Sequence, residues 1–181
     1  GRLLRDWKKP HIFVSAMQKV VKNNVNSLAV IVGDGPARPE LEDLVDKMQL
    51  RDHIALVGAV YDEGWLAKLF LSSRVMVIPA SAGLTVQHAF AYSVPVVVGD
   101  GMDRHGPEIE LVIDGVTGLF CREDDADDFA EKIELVLQDD ALHARLAENA
   151  YAAVRNKHNV CQQAKGFWEA VEYCHKRFLC G

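Results

Sequence analysis

Arg2, Lys8 and Lys9 put three cationic side chains into the first nine residues. A Lys/Arg group is usually a solvated surface. It becomes a candidate phosphate contact when it lies at the edge of a ligand crevice, and these three lie where the loop leaving a first strand would be. Three further stretches have the small-residue composition that lets a backbone approach an anion: "GDGPAR" (Gly33 to Arg38), "ASAGLT" (Ala80 to Thr85) and "GDGMDRHGPE" (Gly99 to Glu108). Each follows an apolar, β-branched run. In an open parallel sheet such loops lie beyond the carboxyl ends of the strands, where helix N-termini offer free N–H groups. The chemistry this composition can support is anion binding. One titratable side chain stands apart: His88 lies in "LTVQHAFAY", an otherwise apolar helix. It is either a core histidine satisfied by a carbonyl or a ligand contact that accepts from one hydroxyl and donates to another.

Other groups are better explained by structure than by chemistry. "GDGP" suggests the start of a dinucleotide fingerprint, but Arg38 stands in the place of the third glycine and the segment does not follow the first strand of the unit. A tight turn with proline near a helix start accounts for it. The acidic run "EDDADD" (Glu123 to Asp128) precedes an amphipathic helix, so capping and dipole complementarity explain it better than a metal. His11, His53, His143, His158 and His175 form no pair at ligand spacing with a carboxylate or thiol. Cys121, Cys161, Cys174 and Cys180 lack CxxC spacing and are read as reduced thiols without a role.

The elements that position these groups follow from hydrophobic periodicity. Phe13, Ala16, Met17, Val20 and Val21 recur at helical spacing, and "SLAVIVG" follows as a strand. The alternation continues through helix "PELEDLVDKMQL", strand "HIALVG", helix "DEGWLAKLFLSS", strand "VMVIPA", helix "LTVQHAFAY" and strand "PVVVGD". "IDGVTGLFC" reads as a turn and a short strand, and the rest as helices. Apolar strands separated by helices require a parallel sheet covered on both faces, so the expected fold is α/β, doubly wound. With 181 residues and 49% hydrophobic side chains the chain suits one domain. A net charge of −6, with no Lys/Arg run, argues against nucleic acid. No apolar run is long enough to span a membrane and the N-terminus lacks the core of a signal peptide. The expected location is the cytoplasm, with the inner membrane surface as an alternative.

Ordered along the chain, these pieces resemble the C-terminal half of the retaining GT-B glycosyltransferases of family 4, the group 1 class that uses nucleotide-sugar donors. "GRLLRDWKKPHIFVSA" is similar to the family's GRL, gap, KGxDxLIxA with one inserted loop residue, Lys8 falling on the family lysine and Ala16 on its alanine. "VIVGDGP" is similar to ivGdGp, "LVGAVYDEGWLAKLF" to FlGxv and its helix, "SRVMVIPA" to aDvfvlPS, and "ELVIDGVTGLF" to EIVxDGxTGLL. The resemblance covers essentially the whole chain. It implies one Rossmann-like domain over residues 1–181 that lacks its first strand and the N-terminal acceptor domain.

The resemblance also implies roles. Arg2 and Lys8 would neutralise the donor diphosphate and stabilise it as it departs, with no metal or other cofactor. The N–H groups of Leu84 and Thr85 would bind a phosphate oxygen, Gly83 letting the backbone come close. Base contacts would come from backbone near Val60. The family's EGFGLxxxEA motif carries two glutamates, the first reaching the sugar and the second the ribose; here Ala80 and His88 stand in their places. His88 would keep the ribose contact. Ser81, and His105 or Glu108, are candidates to take over sugar hydroxyls. Register leaves two glutamates open: Glu110, counted back from Asp114–Gly115, and Glu108, in the "PE" pair. The implied activity is hexosyl transfer to a glycan or lipid-linked acceptor, with this chain as the donor-binding half. A non-catalytic nucleotide or nucleotide-sugar binder and a GT-B-like epimerase are the alternatives. In the last helix, Ala164, Phe167, Trp168, Val171, Cys174 and Phe178 form an apolar stripe that GT-B proteins pack on the other half; without it, exposure and self-association are expected.

Overall fold

The computed structural model describes residue 3 and residues 5–178. Arg2 and Cys180 therefore lie outside the described residues. A short helix α1 (Arg5–Lys8) leads into α2 (Pro10–Asn23), and strands then alternate with helices: β1 (Ala29–Val32), α3 (Arg38–Lys47), β2 (Ile54–Gly58), α4 (Glu63–Leu71), β3 (Met76–Ile78), α5 (Leu84–Ala91) and β4 (Val96–Gly99). Two 3₁₀ turns, Met102–Arg104 and Pro107–Leu111, precede β5 (Gly118–Cys121), α6 (Ala126–Gln138), α7 (Asp140–Asn156) and α8 (Val160–Phe178). Every strand read from the sequence is present.

All pairings are parallel, as the crossover helices require. They form two ladders, β1–β2 and β3–β4–β5, rather than one continuous hydrogen-bonded sheet. The side chains join what the backbone leaves apart. One buried cluster combines Ala29 and Ile31 of β1 with Val97 of β4, Leu119 of β5, Val14 and Val20 of α2 and Phe129 of α6. A second cluster, on the opposite face of β4, gathers Val96 and Val98 with Val86 and Phe90 of α5 and Ala150 of α7. Alternate residues of β4 thus enter different clusters, which is the period-2 geometry of a strand covered on both sides.

Coverage is less complete at the other end. Val30 of β1 and Val57 of β2 are exposed, α4 buries no residue, and α8 is exposed along its whole length. The expectation of a sheet covered on both faces holds for β4 and fails for the outer side of β1–β2. The α8 stripe is solvent-facing: Phe167 is 73% exposed and Trp168 62%.

Local caps follow the sequence. Asp62 accepts from the Trp65 N–H at the start of α4 (2.5 Å), and Asp139 accepts from Leu142 at the start of α7 (2.8 Å). At the start of α6, Asp125 accepts from the N–H groups of Asp127 and Asp128, both at 3.0 Å. The Asp128 N–H, aided by the nearby Arg122 charge, holds the Asp125 carboxyl below the usual carboxylate range. Capping therefore accounts for Asp125 of "EDDADD"; Glu123 and Asp124 serve another purpose. Among the described residues, no helix is long and apolar enough to cross a membrane.

Candidate functional site

The loops at the carboxyl ends of the strands converge, beginning with the N-terminal segment. The Leu3 N–H donates to the Asp34 carbonyl (2.9 Å) and the Leu3 carbonyl accepts from Ala37 (3.1 Å), so residue 3 is strapped onto the loop between β1 and α3. Gly35 makes this approach possible. A Cβ there would lie 2.6 Å from the Leu3 carbonyl oxygen and 2.8 Å from its nitrogen, both backbone atoms that cannot rotate away. Gly35→Ala is expected to push the strap off at a cost of about 1–3 kcal/mol. Hydrogen exchange at Leu3 and Ala37 reads this directly, as faster exchange at both amides. "GDGP" is thus a docking turn for Leu3, and the place of the fingerprint's third glycine is taken by Arg38, the first residue of α3.

Lys8 ends α1 and reaches across to the loop after β3, where its ammonium donates to the Ser81 carbonyl at 2.5 Å. Burial pushes its pKa down from the ordinary lysine value. Among the described residues, no carboxylate pairs with it. Ser81 is buried and holds a left-handed backbone (φ 54), and Ala80 is 3% exposed. The contact Ser81 makes to Lys8 is through its carbonyl, and its burial does not favour the expected hydroxyl contact to a sugar.

Three residues after Ser81, α5 begins. Gly83 is its N-cap and supplies no side chain, so the first-turn N–H groups at Leu84 and Thr85 have no side-chain cap. Lys8 and this helix start therefore share the Ser81–Thr85 loop, joining a cation to a helix N-terminus. The carboxylate of Glu108 stands at the same place. Its Oε2 would lie 4.0 Å from a Cβ on Gly83 and 2.6 Å from one on Gly106. Glu110 is exposed. Of the two glutamates left open by register, Glu108 is the one beside the helix start.

His105 has a different position from the one expected. Its Nδ1 accepts from the Ala82 N–H (2.8 Å), and its Nε2 lies 2.8 Å from the Gly99 carbonyl, to which only an N–H can donate. Both nitrogens are engaged with backbone, so the neutral Nε2–H ring has none left for a sugar hydroxyl. His105 is a bracket between the end of β4 and the Ser81–Thr85 loop, and the Gly106 N–H adds a 2.7 Å bond to the Ala82 carbonyl. The sequence cannot reveal this, since the partners are carbonyls and amides common to every residue.

His88 lies one turn beyond Leu84. It is not a core histidine: its side chain is 34% exposed and its Nε2 lies 3.5 Å from Oε2 of Glu63, the first residue of α4. Its ring packs against Phe70 (4.9 Å between centroids) and Tyr92 (5.6 Å), which stack on each other. With Leu84, Gln87, His158 and Val160 it lines an open cavity of about 450 Å³. Glu63 was not anticipated; it brings a carboxylate back to the side chain that stands where the family has one. Val60 is half-buried in the loop between β2 and α4, two residues ahead of the Asp62 cap.

Lys9 departs furthest from its sequence reading as a crevice cation. Its side chain is 10% exposed, with Nζ 2.6 Å from Glu123 and 2.7 Å from Asp124. Burial alone would lower its pKa, but the hydrogen bonds it donates to Asp124 and Glu123, with their charges, reverse this and raise it. The first two residues of "EDDADD", Glu123 and Asp124, are therefore the partners of Lys9. Among the described residues, no three His, Cys, Asp or Glu side chains converge as a metal-binding group.

Comparison with known proteins agrees with this architecture. The chain is 28% identical to alpha-D-kanosaminyltransferase of Streptomyces kanamyceticus, over 83% of its own length and 38% of that protein. It is also 28% identical to N-acetyl-alpha-D-glucosaminyl L-malate synthase of Bacillus anthracis, over 83% and 38% respectively. The chain thus spans well under half of these curated relatives. Among solved structures, HepE of Anabaena in complex with UDP superposes with a TM-score of 0.81 at 22% identity, over 96% of this chain and 47% of HepE. The C-terminal domain of the group 1 glycosyl transferase LpcC from Francisella tularensis superposes at 0.77 and 23% identity, over 88% of this chain and 84% of that domain structure. These two establish the fold. The model of the family described as glycosyl transferases group 1 matches residues 1–153, and the chain belongs to that family.

Proposed function

We propose that this chain is the donor-binding half of a retaining family 4 glycosyltransferase that moves a hexose from a nucleotide diphosphate to a glycan or lipid-linked acceptor. One observation carries the reading: the Lys8 ammonium and the uncapped start of α5 meet at the Ser81–Thr85 loop. That puts a cation and a helix N-terminus on one five-residue stretch, which suits a diphosphate. UDP in the HepE complex supports a nucleoside diphosphate as ligand. Lys8, with Arg2, would stabilise the diphosphate as the sugar–phosphate bond breaks, without a metal. Leu84 and Thr85 would donate to a phosphate oxygen, Glu108 would accept from a sugar hydroxyl, and His88 would hold the ribose. An N-terminal half carrying the acceptor would cover the exposed stripe of α8. The protein would work in the cytoplasm or at the inner membrane surface.

Titration with UDP, GDP and ADP, then with their sugar conjugates, tests the reading. One diphosphate is expected to saturate the chain, and failure of all three removes the proposal. His88→Ala should weaken that nucleotide about threefold to tenfold, the worth of an ordinary hydrogen bond. Wild type should discriminate against the 2′- or 3′-deoxy analogue, and the variant should not. Normal affinity in the variant would take His88 out of the site.

A second reading, a nucleotide-sugar binder without catalysis, is favoured by Ala80: it is buried, and it puts a methyl group where the family places its sugar-contacting carboxylate. Donor hydrolysis or transfer by the full-length protein separates the two.

A further inference from the structure

We propose that Lys9 is a positioning residue: clamped between Glu123 and Asp124, it fixes the turn between α1 and α2 and so holds the neighbouring Lys8 ammonium against the loop that starts α5. The inference rests on the proposed role of Lys8 toward a diphosphate.

Lys9 occupies the place of the glycine in the family's KG pair. Its backbone, at φ 48 and ψ 45, is in the left-handed region that glycine enters freely and a lysine does not. Something must hold it there, and two short ion pairs with a nearly buried ammonium do so. The far side of the clamp is itself fixed. The Glu123 N–H donates to Asp100 (2.8 Å), the Glu123 carboxylate also meets Arg104 (3.2 Å), and Arg104 donates to the Asp6 carbonyl within α1 (3.1 Å). The turn that ends in Lys8 is therefore tied to the loops after β4 and β5 both through Asp6 and through Lys9. Charge is divided between the adjacent lysines accordingly. Lys9 is neutralised by two carboxylates, while the Lys8 ammonium meets a carbonyl, which leaves its charge for an anion.

A double-mutant cycle tests the coupling, with UDP as the probe and uridine as the control. Lys9→Met should weaken UDP about tenfold and leave uridine unchanged. In a Lys8→Met background it should have no further effect on UDP. Lys9→Arg should restore most of the affinity. Asp124→Asn, which loosens the clamp from its more exposed side, should weaken UDP in the wild type and not in Lys8→Met, and it gives the same answer should Lys9→Met not fold. A Lys9 whose role is only structural would lower the thermal midpoint without this pattern. Independent, additive losses from the two lysines, or a UDP affinity untouched by both Lys9→Met and Asp124→Asn, overturn the inference while leaving the donor reading intact. If Lys8→Met binds UDP normally, or the wild type does not bind it, the donor role of Lys8 fails and the inference falls with it.

Discussion

Replacing Lys8 by methionine is expected to weaken nucleoside diphosphate binding by about 10- to 100-fold, the worth of a charge-assisted hydrogen bond. Thermal stability should change little, because relief of the buried charge is offset by the Ser81 carbonyl losing its donor. The Lys8 ammonium is half-buried beside a carbonyl, and the lowering of its pKa means that the fold disfavours the charge it carries. A half-buried ammonium with no carboxylate partner among the described residues, donating to Ser81 two positions before the α5 N-cap, suits the proposed diphosphate role. A large loss of affinity with little change in stability is the result to look for, by calorimetric titration and thermal denaturation. The pH dependence has a definite sign. In the proposed donor role it is the ammonium form that would bind the anion, so affinity should fall as pH rises through the Lys8 pKa, and burial moves that fall below the pH at which an ordinary lysine titrates. A bound diphosphate favours the charged form, so binding takes up protons at alkaline pH. A loss of stability with unchanged affinity would remove Lys8 from the site.

His105→Ala is expected to cost about 2–4 kcal/mol of folding stability, measured by chemical denaturation. The change removes two hydrogen bonds and leaves the Ala82 N–H and the Gly99 carbonyl without the partners His105 provides, in a place where water has little access; Ala82 is 2% exposed. Stranded buried backbone groups are the expensive kind of loss. Diphosphate affinity should fall as well, because the loop that sets the start of α5 loses its bracket to β4. Had the ring been a sugar contact, as the sequence suggests, the variant would lose affinity for the sugar conjugate and keep its stability.

Legibility in the sequence followed the range of the forces involved. β4 was plain because "PVVVGD" holds three valines in a row before its glycine, and the structure buries Val96, Val97 and Val98 on alternating sides. The cap of α6 was plain because Asp125 acts on amides two and three residues away. The break between β1–β2 and β3–β5 was not legible, since pairing depends on distances between strands far apart in the chain. His105 and Glu108 were equivalent on paper, and only packing put one against two backbone groups and the other beside Gly83.

The sequence by itself determined the order of elements and the family, because hydrophobic period, glycine placement and capping are local properties that survive without tertiary contacts. Tertiary structure alone decided which of two adjacent lysines pairs with Glu123 and Asp124 and which donates to the Ser81 carbonyl, and it alone brought Glu63 to His88. Those assignments turn on a few ångströms between residues up to about a hundred positions apart. Charge type and spacing in a linear chain carry no such distance; the folded core sets it.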